Sequence, residues 1–413
     1  MHRKPKGKTM MKHLLAATAL SLLLTMAAKA ECSFKNTVPV QSLTAGFAAW
    51  KAVTDTMAEC GNFTASLDQE FSKKQAAAFA AKPALYQIGG VANETLIPLL
   101  NEGTIRPLDA LVAKYGQNLS PNQLIKVDGK VMAIAMMVNA QHLIYREDLF
   151  KELGIAPPKT YDEMLAAAEK IKASGKVAYP LGATMKTGFN LGQDFVNLFL
   201  GYGGAFFKDG NQPNVNSDAG KKALATMKAL TAYMDPEFLV SDSTYVQKQF
   251  QQGKIAMTNL WASRLGALDD PKESQASGKV GVAAAPAAMA GGKPATTMWW
   301  DGIVIAKNIT DEEADAAFHL AMEGLSERMV KANNAASVWL VKGYAPGKLA
   351  GGVVASAEGG APNYPAATAL GPLTTAIGNG VADYMTGKKD AAKTLADIEV
   401  AYLATAKEKG LIK

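Results

Sequence analysis

Residues 38–71 read VPVQSLTAGFAAWKAVTDTMAECGNFTASLDQEF, and the fold class is decided in this stretch. Val38-Pro39-Val40-Gln41-Ser42-Leu43 has the β-branched and apolar content of a strand. Ala45, Ala48, Ala49, Ala52, Val53, Thr56 and Met57 then recur at helical spacing until Gly61 stops the run. Phe63 to Phe71 reads as a second strand. After a short helix, Ala84 to Ile88 reads as a third strand, ended by a turn at Gly89-Gly90. Such alternation is the signature of a layered α/β fold, in which parallel strands are joined by right-handed crossovers.

Downstream, two helices announce their starts. Thr160-Tyr161-Asp162-Glu163 and Thr310-Asp311-Glu312-Glu313 each place a glutamate three residues after a threonine, the spacing of a capping box. An apolar stripe follows each start: Met164, Leu165, Ala168 and Ile171 in the first, and Ala314, Ala317, Phe318, Ala321 and Leu325 in the second. These stripes are expected to face the core. Two stretches rich in Ala, Gly and Pro, Ala283 to Pro294 and Ala350 to Pro365, read as irregular crossings.

Working back toward the N-terminus, Arg3, Lys4, Lys6, Lys8 and Lys12 precede an apolar run from Leu14 to Ala28, and Ala28-Lys29-Ala30 fits a small-x-small cleavage pattern. Residues 1–30 are therefore expected to be a removed signal peptide that sends the chain to the periplasm. The run is shorter than the roughly 20 residues that span a bilayer, so no membrane anchor is expected. Of the 43 basic residues, six lie in this segment together with none of the 37 acidic ones. The formal charge of +6 is thus a property of the export segment, and the rest is balanced, which argues against nucleic acid as a partner. Cys32 and Cys60 are the only cysteines. In an oxidising compartment an even pair favours a disulfide, which would contribute about 3 kcal/mol in the chain-entropy model, two free thiols being the alternative.

Signatures of catalysis are missing. Beyond residue 30 only His142 and His319 remain, neither in a cluster with metal-ligand spacing, so no metal or cofactor is expected. The common motifs of serine nucleophiles, phosphate-cradling loops and zinc hydrolases are absent. Paired carboxylates that cleave glycosides carry no fixed spacing, which leaves a periplasmic glycosidase as a minor alternative.

Several segments together resemble the extracellular solute-binding proteins of family 1, the carbohydrate receptors of ABC importers. They are Leu100-Asn101-Glu102-Gly103-Thr104-Ile105-Arg106-Pro107-Leu108-Asp109; Val127-Asp128-Gly129-Lys130-Val131 followed by Leu143-Ile144-Tyr145-Arg146-Glu147-Asp148-Leu149-Phe150; Pro157-Pro158-Lys159-Thr160-Tyr161-Asp162-Glu163; and Phe250-Gln251-Gln252-Gly253-Lys254-Ile255-Ala256-Met257. Each is weak alone, and their shared order and spacing make the likeness strong. The chain departs from the family where Ala133-Ile134-Ala135 replaces a proline-containing segment.

The resemblance implies a two-lobed periplasmic-binding-protein fold of type II, each lobe a mixed sheet flanked by helices, with hinge strands near Val138–Ile144 and Trp299–Ile305. The N-terminal lobe would hold 31–138 and 302–340, and the C-terminal lobe 139–301 and 341–413. It further implies a monomeric, non-catalytic receptor that delivers a mono- or oligosaccharide or polyol to a membrane permease. A receptor of the same fold for glycerol phosphate or a polyamine is the alternative.

Sugars present hydroxyls that need hydrogen-bond partners and C–H faces that stack on aromatic rings. Trp261 and Trp300 are the expected stacking platforms, and Asp301 the expected hydroxyl acceptor on the hinge. Asn139, Gln141, Lys342 and Thr44 are candidate polar contacts. Asn259, Phe189 and Trp339 are candidate wall residues, and Trp50, inside the first helix, reads as core.

Overall fold

The computed structural model describes residues 32–365 and 367–412, so the expected export segment lies outside it. Thirteen strands alternate with helices: β1 (Asn36–Thr44), β2 (Gly61–Leu67), β3 (Ile88–Ala92), β4 (Leu124–Val127), β5 (Lys130–Asn139), β6 (Gln141–Arg146), β7 (Tyr179–Gly182), β8 (Phe207–Lys208), β9 (Gln212–Pro213), β10 (Ile255–Trp261), β11 (Val280–Ala283), β12 (Trp299–Ile305) and β13 (Val338–Trp339). Two mixed sheets dominate. The larger runs β13-β5-β12-β3-β1-β2, with β4 also on β5, and the smaller runs β11-β6-β10-β7. In the larger sheet β1 is parallel to β2 and β3, while β12 is antiparallel to β3 and β5.

The chain leaves the larger sheet at Asn139, the end of β5, and enters the smaller one at Gln141, the start of β6, with only Ala140 between. It is back in the larger sheet at Trp299, where β12 begins. One face of the larger sheet packs Val40, Ile88, Ile303 and Ile305 against the Ala48–Ala58 and Asp311–Gly324 helices. Its other face packs Val91, Ala133 and Val304 against Phe79 and Leu99. A separate core beneath the smaller sheet gathers Phe195, Phe199, Leu224, Leu373 and Tyr402. No helix among the described residues is long and apolar enough to cross a membrane.

The opening strand–helix–strand unit lies where the sequence places it. Cys32 and Cys60 are bonded, their Cα atoms 5.2 Å apart, which ties the start of β1 to the end of the first helix. Thr310 forms the full capping box with Glu313, whereas at Thr160 only the threonine half closes, through Glu163 N–H.

Three local expectations fail, two of them at glycines. The third strand is β3, Ile88–Ala92, so it starts where Ala84 to Ile88 was expected to end. Gly89 and Gly90 lie inside β3 and not in a turn after it. A Cβ on Gly90 would sit 2.8 Å from Trp50 and 2.9 Å from Thr44, and one on Gly89 2.6 Å from Phe79, so both are glycine because helices press on the strand from each face. The stretch Ala350 to Pro365 contains a helix, Gly351–Glu358. Its Gly352 permits contact with His142, whose Nδ1 would lie 2.2 Å from a Cβ there. Close approach accounts for the glycines that resembled loop punctuation.

Candidate functional site

An aromatic corner forms where strands of the two sheets end. Trp261 closes β10 and Trp299 opens β12; their rings meet edge to face with centroids 5.7 Å apart. Tyr364 leans on Trp299 at 4.1 Å, and Phe189, the first residue of the Phe189–Gly201 helix, meets it edge-on at 6.1 Å. Phe189 is 53% exposed, an unusual degree for a phenylalanine in an ordered cluster.

Beneath the corner lies a bonded polar floor. Gln141, opposite Trp261 in the β6–β10 pair, donates to Thr184 Oγ1 at 2.8 Å and to Asp194 Oδ1 at 3.2 Å. Asn197 donates to Gln141 Oε1 at 2.6 Å, Thr297 donates to Asn197 Oδ1 at 3.1 Å, and the Trp299 indole N–H donates to Thr297 Oγ1 at 2.9 Å. The orientation of Trp299 is therefore set by a run of buried side chains that ends at a carboxyl. Burial pushes Asp194 up to about 7, with Thr184 and Gln141 pulling the other way.

The larger sheet contributes a second wall. Asp301 pairs with Ala92 across β12 and β3, and Asn93 and Glu94 follow directly in the helix Asn93–Asn101. Asn93 Oδ1 accepts the Trp300 backbone N–H at 2.8 Å. Burial raises Asp301 to about 7, opposed by the Trp50 N–H, yet that N–H closes no well-formed hydrogen bond. Glu94 is likewise raised to about 7 by burial, opposed by Thr374, and its charge acts on Tyr364. Thr374 lies in the Leu370–Met385 helix that packs against Phe189–Gly201, so Glu94 reaches from the larger sheet's side to the smaller sheet's side.

The structure sorts the candidate residues. Trp261, Phe189 and Gln141 belong to the corner and its floor. Asp301 and Thr44 lie on the face of the larger sheet that carries Trp50, and Thr44 Oγ1 is fully buried without a partner. Asn259 donates to Tyr161 Oη at 2.8 Å and leaves Oδ1 unpartnered.

Four assignments need correction. Trp300 and Asp301 are adjacent on a strand and so point to opposite faces. Trp300 packs on the Phe79 and Leu99 side, while Trp299 joins Trp261 and Tyr364; both tryptophans also line a cavity of about 390 Å³ with Val138, Leu340, Ala357 and Asn363. Trp339 is core: it is 3% exposed and its N–H donates to Asn333 O at 3.0 Å. Asn139 is consumed by Ser263, through 3.2 and 3.3 Å bonds. Lys342 is exposed and takes part in none of the ion pairs among the described residues, Glu327 nearby being paired with Lys331.

Glu94, Asp194, Trp299 and Tyr364 were missed by sequence reasoning. Trp299 could have been found, because a Trp-Trp-Asp run on a strand must place its first tryptophan and its aspartate on one face. Nothing local marks the other three.

Two sheets joined by a one-residue crossover, with an aromatic corner where their strands end, define the make-up of a two-lobed receptor. The family described as bacterial extracellular solute-binding protein matches residues 43–322, and the chain belongs to that family. A Deinococcus radiodurans protein named "Probable ABC transporter-binding protein" is 32% identical over 199 residues, 46% of either chain. The chain spans about half the length of such curated relatives. Among solved structures, an ABC transporter solute-binding protein of Agrobacterium radiobacter K84 in complex with ribitol superposes with a TM-score of 0.78 at 21% identity, covering 89% of this chain and 98% of that one. The T. maritima MalE3 with bound maltose does so at 0.77 and 20%, covering 89% and 99%. These likenesses establish the two-lobed fold.

Proposed function

We propose that this chain is the periplasmic receptor of an ABC importer, and that it captures a sugar or polyol between its lobes and presents it to a membrane permease as a monomer. Residues 31–138 with 302–340 would form one lobe and 139–301 with 341–413 the other, with export directed by residues 1–30. The observation that carries this reading is the cluster of Trp261, Trp299 and Tyr364 where strands of the two sheets end, with Glu94 acting on Tyr364 and with Asp301 two residues on from Trp299 along β12. Rings suit the C–H faces of a sugar and carboxyls suit its hydroxyls. Contacts to both lobes would favour closure by the difference in binding energy between closed and open forms. The solved relatives bound to ribitol and to maltose support the same ligand class. The family is one of binding proteins, which favours a receptor over a glycosidase. A glycerol phosphate receptor would want clustered cations, and no basic side chain acts on Glu94, Asp194 or Asp301.

A calorimetric and thermal-shift screen of the purified protein against sugars and polyols tests this. Saturable one-to-one binding is the expected result; silence toward every sugar, polyol and glycerol phosphate would remove the carbohydrate reading.

A further inference from the structure

Beside the aromatic corner lies the cavity of about 390 Å³ that Trp299 and Trp300 line, within the range of small-molecule pockets, roughly 300 to 1,000 Å³. Its walls come from both sheets. Val138 and Trp300, cross-strand partners on β5 and β12, belong to the larger sheet, and Leu340 is tied to it by donating its N–H to Met136 O at 2.9 Å. Ala357, in contrast, lies on the Gly351–Glu358 helix, which is seated on the smaller sheet: Gly352 lies against His142 of β6, and Ser356 Oγ accepts the Ala285 N–H, two residues past β11, at 3.0 Å. Met298 and Asn363, bridged to each other, also line the space. Val138 stands two residues before Ala140, where the chain leaves the larger sheet, and Met298 stands immediately before β12, where it returns. The cavity therefore touches both sheets at both crossovers, and its shape depends on how they are placed relative to one another.

None of the described residues that line this space is charged. Apolar side chains and two indoles make up its walls, and the amides of Asn122 and Asn363, both exposed residues, are its polar groups. A charged occupant would give up its hydration with no counter-charge to meet it, and a sugar would leave most of its hydroxyls without partners. Trp299 is shared, because the same indole meets Trp261 and Tyr364 in the corner. We propose that this cavity is a second binding site, for a neutral molecule of about one ring with an apolar body and a single polar end, and that its occupancy alters affinity for the guest at the corner. The binding half stands on the cavity alone; the coupling half rests on the reading that the corner is the guest site. An occupant held by both sheets favours one relative placement of them, and so does a guest that touches both, so each changes the affinity of the other by the same factor.

Ligand-observed NMR and calorimetry on the full processed chain test this, with benzyl alcohol as the probe and benzylamine and benzoate as its charged counterparts. The expected result is saturable one-to-one binding of benzyl alcohol, at least ~10-fold tighter than that of either counterpart and lost in Ala357→Trp, together with a change of at least ~3-fold in affinity for whichever of ribitol, sorbitol and maltose binds most tightly. Ala357 is exposed, so the larger side chain fills the space from its edge without displacing core, and a thermal melt checks the fold of the variant. The comparison among the three probes uses the wild-type protein and stands without it. No binding of benzyl alcohol, binding that the filled variant retains, or equal binding of a charged counterpart overturns the second site and leaves the sugar or polyol reading intact. Benzyl alcohol bound at the cavity with guest affinity unchanged overturns the coupling and keeps the site. Silence from ribitol, sorbitol and maltose alike removes the coupling together with the guest reading it rests on, while the probe comparison still decides the site.

Discussion

The two sides of the candidate site treat their polar atoms in opposite ways. On the smaller sheet's side Gln141, Thr184, Asp194, Asn197, Gln193, Thr297 and Trp299 are bonded to one another. On the larger sheet's side Ser42 Oγ, Thr44 Oγ1 and Trp50 Nε1 are buried without partners of good geometry, and Trp50 acts on the Asp301 carboxyl. Buried polar groups are rarely left unbonded, and where they are, a role is to be sought. The first side is a finished platform that holds the rings; on the proposed reading, the second keeps its hydrogen-bonding capacity for a guest.

The largest expected effect breaks the platform. Gln141→Ala removes one residue that serves Thr184, Asp194 and Asn197, and it should cost about 3 kcal/mol in urea unfolding, because several buried groups lose a partner together. Next come the tryptophans. Trp261→Ala should weaken guest binding by roughly 30-fold in calorimetry, whereas Trp300→Ala, on the opposite face, should leave affinity within about 3-fold. Equal losses would restore Trp300 to the cleft.

A smaller effect lies in the pH dependence of the unliganded protein. Glu94, Asp194 and Asp301 titrate near 7 in the fold against the ordinary carboxyl range when unfolded. Their contribution to stability is full below that lower range and is lost as pH rises toward 7. His142 acts in the reverse direction: burial lowers it to about 4, so its contribution is present above the ordinary imidazole value and is lost as pH falls toward 4. Asp301→Asn should therefore stabilise the unliganded chain by on the order of 1 kcal/mol at pH 8 and by less at pH 5, read from paired thermal melts. Smallest of all, Thr44→Val removes a hydroxyl that bonds to nothing and should change unfolding by less than about 0.5 kcal/mol while it weakens the guest. A substantial destabilisation would mean that the second wall is not held in reserve.

Much of the fold is readable in residues 38–71, because strand and helix periods are local and Gly61 marks a real boundary. Gly61 has a φ of 126°, and a Cβ there would lie 2.4 Å from Asn36 O. Gly89, Gly90 and Gly352 mislead for a related reason: a glycine required for close packing has the same letter as one required for a turn. The site is harder to read. Trp261 and Asp301 are expected from the segments that carry them, but Trp299 and Trp300 differ only in strand phase, which the pairing of β12 with β3 and β5 settles. Glu94 is an ordinary first-turn acid until Thr374 and Tyr364, far along the chain, enclose it.

Binding of a small hydroxylated guest between these walls is tested most directly by calorimetric titration of ribitol, sorbitol and maltose into the wild type and into a folded Glu94→Gln/Asp301→Asn double variant. One-to-one heat from at least one compound, lost in the variant, is the predicted result. No heat from any of them, or heat that the double variant retains in full, would contradict it.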